Sequence, residues 1–210
     1  MVTAFDNTML LFSTPVYYHT NFHSDQIHDT TKEQTNVTKN LEGNFSSQEH
    51  NILELESYQI IKDRILQGLH EYTRTVLSID ESVQFYITQS WLNINPPDTK
   101  HHRHNHSNSI ISGVYYIDAD KDSEITFCTQ NTSPITSNPS FSIPVKEYNL
   151  ANSGYWTCPV HNNGIIYFPS TTLHEVGPNN SDRNRISLAF NVFMRGELGT
   201  DKTLNHLKLG

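Results

Sequence analysis

The sequence predicts a mainly β fold, a sandwich or barrel with a helical buttress, of which the two-sheet jelly roll is one solution. Three observations carry this: a single long amphipathic stripe in the first half, a succession of short β-former segments after Ser82, and turn-rich connections between them. A chain of 210 residues can bury a substantial core as one domain. The expected organisation is a single domain over 1–210, with an N-terminal strand, polar loop and supporting helix over 1–82, a β core over 83–196 and a tail over 197–210.

The opening Met9-Leu10-Leu11-Phe12 is apolar, and Thr14-Pro15-Val16-Tyr17-Tyr18 suits a strand entered from a turn. Residues 19–50, rich in Asn, Thr, Gln and His, predict a long polar loop with a short helix and carry no motif. From Leu55 to Leu77 the apolar residues Tyr58, Ile61, Ile65, Leu69, Tyr72 and Val76 step by 3, 4, 4, 3 and 4, one stripe of a helix packing on a sheet face. Gly68 lowers its propensity without breaking the pattern.

Strands follow. Val83 to Asn95 alternates and stops at Pro96-Pro97, which cannot continue a central strand. Further strands are expected over Ile110–Ile117, Glu124–Thr129, Tyr155–Cys158, Gly164–Phe168 and Ile186–Phe193, with residues 130–154, bearing Pro134, Pro139 and Pro144, looping over a rim.

The formal charge of −8, from 14 Lys+Arg against 22 Asp+Glu, argues against nucleic acid or an anionic membrane as partner, since both demand a basic face. No stretch approaches the roughly 20 apolar residues of a spanning helix, and the first residues lack the basic start of a secretory signal, so a cytoplasmic location is expected. Cys128 and Cys158 lack metal-ligand spacing and read as ordinary reduced thiols. The sequons at Asn36, Asn44, Asn105 and Asn131 are chance matches in an Asn-rich chain.

The chemistry concentrates in His101-His102-Arg103-His104-Asn105-His106 and in the remote His174. Neutral imidazole binds iron, zinc, copper and nickel, and histidines at i and i+2 of an extended segment face one side. His104 and His106 precede the strand at 110–117, while His174 falls in the turn between the strands at 164–168 and 186–193. In a jelly roll such strand ends converge at one mouth, giving three ligands with coordination positions left open. The same spacing recurs at His102 and His104. Arg185 opens the last strand, where its guanidinium fork could hold a carboxylate. A histidine-rich loop in a chain with twelve histidines is also compatible with incidental metal affinity.

Five segments together resemble the Fe(II)- and 2-oxoglutarate-dependent dioxygenases, and specifically the oxygenases common in marine bacteria and phages that are related to prolyl hydroxylases. They are Trp91-Leu92-Asn93-Ile94-Asn95-Pro96, His104-Asn105-His106 running to Ser112-Gly113-Val114-Tyr115-Tyr116, Gly164 to Ser170, His174 to Asn179, and Arg185 to Asn191, spread over about 100 residues. The resemblance implies a double-stranded β-helix (jelly roll), Fe(II) as metal and 2-oxoglutarate as cosubstrate. It implies that His104 and His174 bind iron, that Arg185 binds the distal carboxylate of 2-oxoglutarate, that Tyr116 adds a hydroxyl donor and that Asn95 lines the pocket.

One position departs from the family. The middle ligand, normally Asp or Glu, is His106 here, which leaves the site more positive and more tolerant of zinc or copper. The family register favours 104 and 106 over 102 and 104. The implied reaction hydroxylates a substrate that the sequence does not identify, using O₂ and releasing succinate and CO₂, and a phage-encoded source fits the same resemblance. Two alternatives stand beside it: a cupin-like metal enzyme that does not use 2-oxoglutarate, and a noncatalytic β-sandwich with an incidental histidine loop. Arg185 discriminates against the first and metal content against the second.

Overall fold

A computed structural model describes residues 10, 13–19, 36–129 and 140–210. The apolar opening at 9–12 and the prolines Pro134 and Pro139 fall wholly or mainly outside them. The strands are β1 (Tyr17–His19), β2 (Val37–Lys39), β3 (Phe45–Ser47), β4 (Val83–Asn95), β5 (His101–His104), β6 (Ile111–Asp118), β7 (Glu124–Cys128), β8 (Tyr155–Pro159), β9 (Ile165–Pro169), β10 (Leu173–Val176), β11 (Arg185–Leu198) and β12 (Leu207–Leu209), with one α-helix, α1 (Gln59–Glu71). They form two sheets. The major sheet runs β1-β9-β6-β11-β4-β3-β2, with β12 added to β11, and the minor sheet runs β5-β10-β7-β8. This is the mainly β, two-sheet architecture that the strand pattern predicts.

Period-2 alternation splits the major sheet into two faces. Tyr115, Ile117, Ile165, Tyr167, Leu188 and Phe190 point outward and pack with Ile61, Ile65 and Leu69 of α1. Tyr116, Ile166 and Phe168 point inward and meet Ile125 and Phe127 of the minor sheet. The buttress is fixed by more than apolar burial, because the Tyr167 hydroxyl donates to the Ile65 carbonyl at 2.9 Å. Each fully buried Ile or Leu on this face contributes about 1.5–3 kcal/mol of transfer energy, so the helix is held chiefly by the sheet.

Several expectations are corrected. The 19–50 region includes a short hairpin, β2 paired with β3, rather than loop and helix alone. The helical stripe does not run unbroken to Leu77: two 3₁₀ turns precede α1, and Tyr72–Val76 is a π-turn closed by Leu77 N–H donating to the Tyr72 carbonyl. That wider turn rotates Val76 off the stripe and into solvent. His174 lies on a strand, β10, not in a turn, since Leu173 to Glu175 find ladder partners on β7. The last strand extends to Leu198, and β12 pairs back on it, so the tail is partly sheet. Cys128 and Cys158 are free thiols, as expected. Among the described residues no helix is long and apolar enough to cross a membrane.

Gly113 has a packing reason. A Cβ there would clash with the Phe190 ring and come within 2.7 Å of the Ile166 carbonyl oxygen, which the β6–β9 ladder prevents from moving. Gly113→Ala is therefore expected to destabilise the protein by about 1–3 kcal/mol, as overpacking in a rigid core does, seen as a lower urea midpoint with an unchanged slope.

Candidate metal centre

The minor sheet brings the distant histidines together through backbone register. β10 pairs antiparallel with β5, and His174 sits directly opposite His104. Directly opposed residues share a face and approach closely, and the two rings lie 4.3 Å apart between centroids. His106 comes from a different device. It lies just past the end of β5, so strand alternation does not aim it; the loop is pinned instead by the His106 amide donating to the Ser170 carbonyl at 3.0 Å. One donor atom each from His104, His106 and His174 lies within 4.8 Å of the others.

His101, His102 and His104 form a second group at the same spacing. It shares His104 but omits the remote imidazole, and His102 is exposed. The alternative register of His102 with His104 thus lacks a buried third partner, whereas His174 is only 3% exposed. His101 stacks on His104 with centroids 4.5 Å apart.

Hydrogen bonds fix which nitrogen each ring can offer. The Nδ1 of His104 lies 2.8 Å from the His102 carbonyl and the Nδ1 of His174 lies 3.0 Å from the Thr172 carbonyl. A carbonyl only accepts, so both Nδ1 atoms carry the proton and both Nε2 atoms keep a lone pair. Burial, reinforced by the neighbouring imidazoles, pushes His174 and His101 down to about 3 and His106 down to about 4. His104 is lowered too, again chiefly by burial. A cluster that resists protonation keeps its lone pairs for a cation. Three neutral nitrogen donors suit a borderline divalent metal such as iron, and equally accept zinc, copper or nickel.

Arg185 stands beside this cluster on the inner face of the major sheet, directly opposite Asn95. It is 5% exposed, and among the described residues no carboxylate pairs with it. Burial lowers its pKa, with the Tyr116 hydroxyl opposing that shift. Three buried polar atoms here have no hydrogen-bond partner among the described residues: Arg185 Nη2, the Tyr116 hydroxyl and Asn95 Nδ2. All three are donors. Leaving three such groups buried and unmatched costs about 1–3 kcal/mol each, so the cradle is built for an acceptor-rich guest, and a carboxylate is the simplest. The residues therefore fit a metal together with an anionic ligand.

Residues without an assigned role in the sequence hold this arrangement. Asn179 Nδ2 donates to the carbonyls of Asn95 and Arg183, both at 2.7 Å, tying the turn before Arg185 to β4. Ser112 donates to Asn191 Oδ1 at 2.9 Å and shares a 2.8 Å contact with Ser170, which meets Ser109 at 2.8 Å. This buried hydroxyl chain lies under the loop that carries His106. The signal was present, since Ser109, Ser112, Ser170, Asn179 and Asn191 all fall in the five motif segments, but composition alone does not distinguish a buried serine from a solvated one. Glu175 faces outward and pairs with Arg103 at 3.0 Å, so it does not touch the histidine cluster.

The comparisons with known proteins agree with this picture. A protein-family model described as "Putative 2OG-Fe(II) oxygenase" matches residues 89–191. Over that segment, just under half of its length, the chain is similar to the 2OG-Fe(II) oxygenase family, whose members are 2-oxoglutarate-dependent enzymes. Solved structures share the fold at low identity. A 2OG-Fe(II) oxygenase family oxidoreductase from Burkholderia pseudomallei aligns with a TM-score of 0.57 and 11% identity, covering 84% of this chain and 83% of that one. A Pseudomonas putida prolyl-4-hydroxylase gives 0.54 and 15%, covering 85% and 93%. HygX from Streptomyces hygroscopicus, solved with nickel, 2-oxoglutarate and hygromycin B bound, gives 0.57 and 8%, covering 85% and 82%. No curated protein matches the chain by sequence.

Two outcomes follow from the histidine geometry. With folded values of about 3 to 4 against an ordinary value of 6.5, the unfolded chain takes up protons first as pH falls. The buried imidazoles thus cost no stability above about pH 6.5 and destabilise the fold progressively as pH falls toward about 3. The urea midpoint of metal-free protein should fall between pH 7 and pH 5, and fall less in His174→Asn. Separately, His106→Ala should weaken Fe(II) binding at least tenfold, beyond what even an outer-shell change costs at its low end, while His102→Ala leaves it within about twofold; equal losses in a metal titration would contradict the assignment.

Proposed function

We propose that this protein is an Fe(II)- and 2-oxoglutarate-dependent oxygenase that hydroxylates its substrate, with one atom of O₂ entering the product and the other entering succinate as CO₂ is lost. His104, His106 and His174 would hold the iron, and Arg185 would take the distal carboxylate of 2-oxoglutarate. The observation that carries the reading is the buried Arg185 guanidinium, whose Nη2, like two further donors beside it, finds no partner among the described residues, next to a cluster of neutral imidazoles. A metal enzyme without a dicarboxylate cosubstrate has no need of that cradle. The bound nickel and 2-oxoglutarate of the structurally similar HygX support the same pairing of ligands.

When bound, iron supplies O₂ activation and the oxidising power released by decarboxylation. The chain's own contribution is positioning. Arg185 and the Tyr116 hydroxyl donate to the far end of the diacid, and Asn95 Nδ2 is available beside them. Phe168, with its ring centroid 4.7 Å from that of His174, and Phe127 close the inner side against water. His106 leaves the iron site one unit more positive than a carboxylate would, which offsets the two negative charges of the cosubstrate more fully.

Arg185→Ala is expected to weaken 2-oxoglutarate binding by about 1.5–3 kcal/mol, the range for a hydrogen bond to a charged group, which is ten- to hundredfold. Iron binding should be unchanged, because Arg185 is not a ligand. Calorimetric titration of 2-oxoglutarate into Fe(II)-loaded protein under argon measures this, and unaltered cosubstrate affinity would refute the role.

A further inference from the structure

The register of the minor sheet continues past the histidines. His104 on β5 opposes His174 on β10, His174 opposes Phe127 on β7, and Phe127 opposes Trp156 on β8. Directly opposed residues lie on one face, so the four side chains form a single row across the sheet, facing the interior. The alternation of β8 agrees independently. Cys158, two residues on, packs against the inner cluster, whereas Tyr155 lies beneath the Arg103 guanidinium and Thr157 meets Thr126 on the outer face.

Exposure changes sharply along this row. His174 is 3% and Phe127 7% exposed, yet Trp156 is 45% exposed. It makes no ring contact among the described residues, unlike Phe127, whose ring packs against Phe168 at 5.1 Å. A large indole on the inner face of an edge strand, left half open, is poorly explained by packing, since tryptophan buries more apolar area than most side chains when it is given a partner. Two strand spacings separate it from His174, roughly 10 Å. That span accommodates a small ring between indole and metal.

We infer that Trp156 is the substrate platform of the site: the face of a substrate ring stacks on its indole, and a carbon beyond that ring is presented to the metal. The inference rests on the function proposed above and adds a substrate class, ring-bearing molecules. Stacking on an indole requires only a flat face, aromatic or sugar, and it is worth enough to dominate the affinity of a small ligand. The remaining rim offers another indole, Trp91, whose ring lies 5.8 Å from His106, so the two sheets each present an aromatic wall near the histidines.

The test uses full-length protein loaded with Fe(II) and 2-oxoglutarate under argon, with adenosine, methyl glucoside and N-acetylproline methylamide as ring probes. The visible charge-transfer band of the iron–cosubstrate chelate reports the metal reading, and calorimetry reports probe affinity. At least one probe should bind saturably and perturb the band. Trp156→Ala should form the band as the unsubstituted protein does but bind that probe at least tenfold more weakly, whereas Trp156→Phe stays within threefold. An equal thermal midpoint for Trp156→Ala excludes loss through misfolding. If no probe binds, or if Trp156→Ala binds as tightly as the unsubstituted protein, the platform is refuted while the metal reading stands; if the chelate band is absent from the unsubstituted protein, both fall.

Discussion

The pairing of β10 against β5 is the constraint on which the site depends. His104 and His174 are far apart in sequence, and nothing local to either segment brings them together. The antiparallel ladder does so by placing them directly opposite one another. A slip of one residue would turn His174 to the outer face and Glu175 inward, exchanging an imidazole for a carboxylate that now pairs with Arg103. Register in a sheet with one buried face is strongly specified, and here the specification comes from Phe127, packed against Phe168 and opposite His174.

The two sheets divide the chemistry between them. The minor sheet supplies two of the three imidazoles, while the inner face of the major sheet supplies Arg185, Asn95 and Tyr116. The outer face of the major sheet is closed by α1, which frees the inner face to carry polar groups without leaving the core thin. Those polar groups are not balanced by other described residues. Three buried donors unmatched among the described residues, one of them on the Arg185 guanidinium, are a cost to the folded chain, and such costs persist where a ligand relieves them.

Much of this was legible in the sequence because it rests on periodicity and on spacing. The alternation of Val83–Asn95 and of the Ser112–Tyr116 segment marks strands whose faces can be assigned, and α1 follows from its stripe. The histidines and Arg185 stand out because their chemistry is unusual for a strand end, and the resemblance of five ordered segments named the class. Less legible was whatever depends on partners distant in sequence. Leu173–Val176 has too few residues to show a pattern, so β10 emerges only once β5 and β7 are beside it. Val76 left its predicted stripe through a π-turn that no local propensity encodes. The serines beneath the His106 loop, and Trp156 in the row of the histidines, acquire meaning only from cross-strand register.

The proposed centre requires imidazoles from separate segments to share one ion. The most direct measurement is X-ray absorption of anaerobic Fe(II)-loaded protein with its metal stoichiometry determined in parallel. The expected result is one iron per chain surrounded by three imidazole nitrogens, with the imidazole signal reduced in His174→Ala. A spectrum dominated by oxygen with fewer than two imidazoles, or one that His174→Ala leaves unchanged, would contradict it.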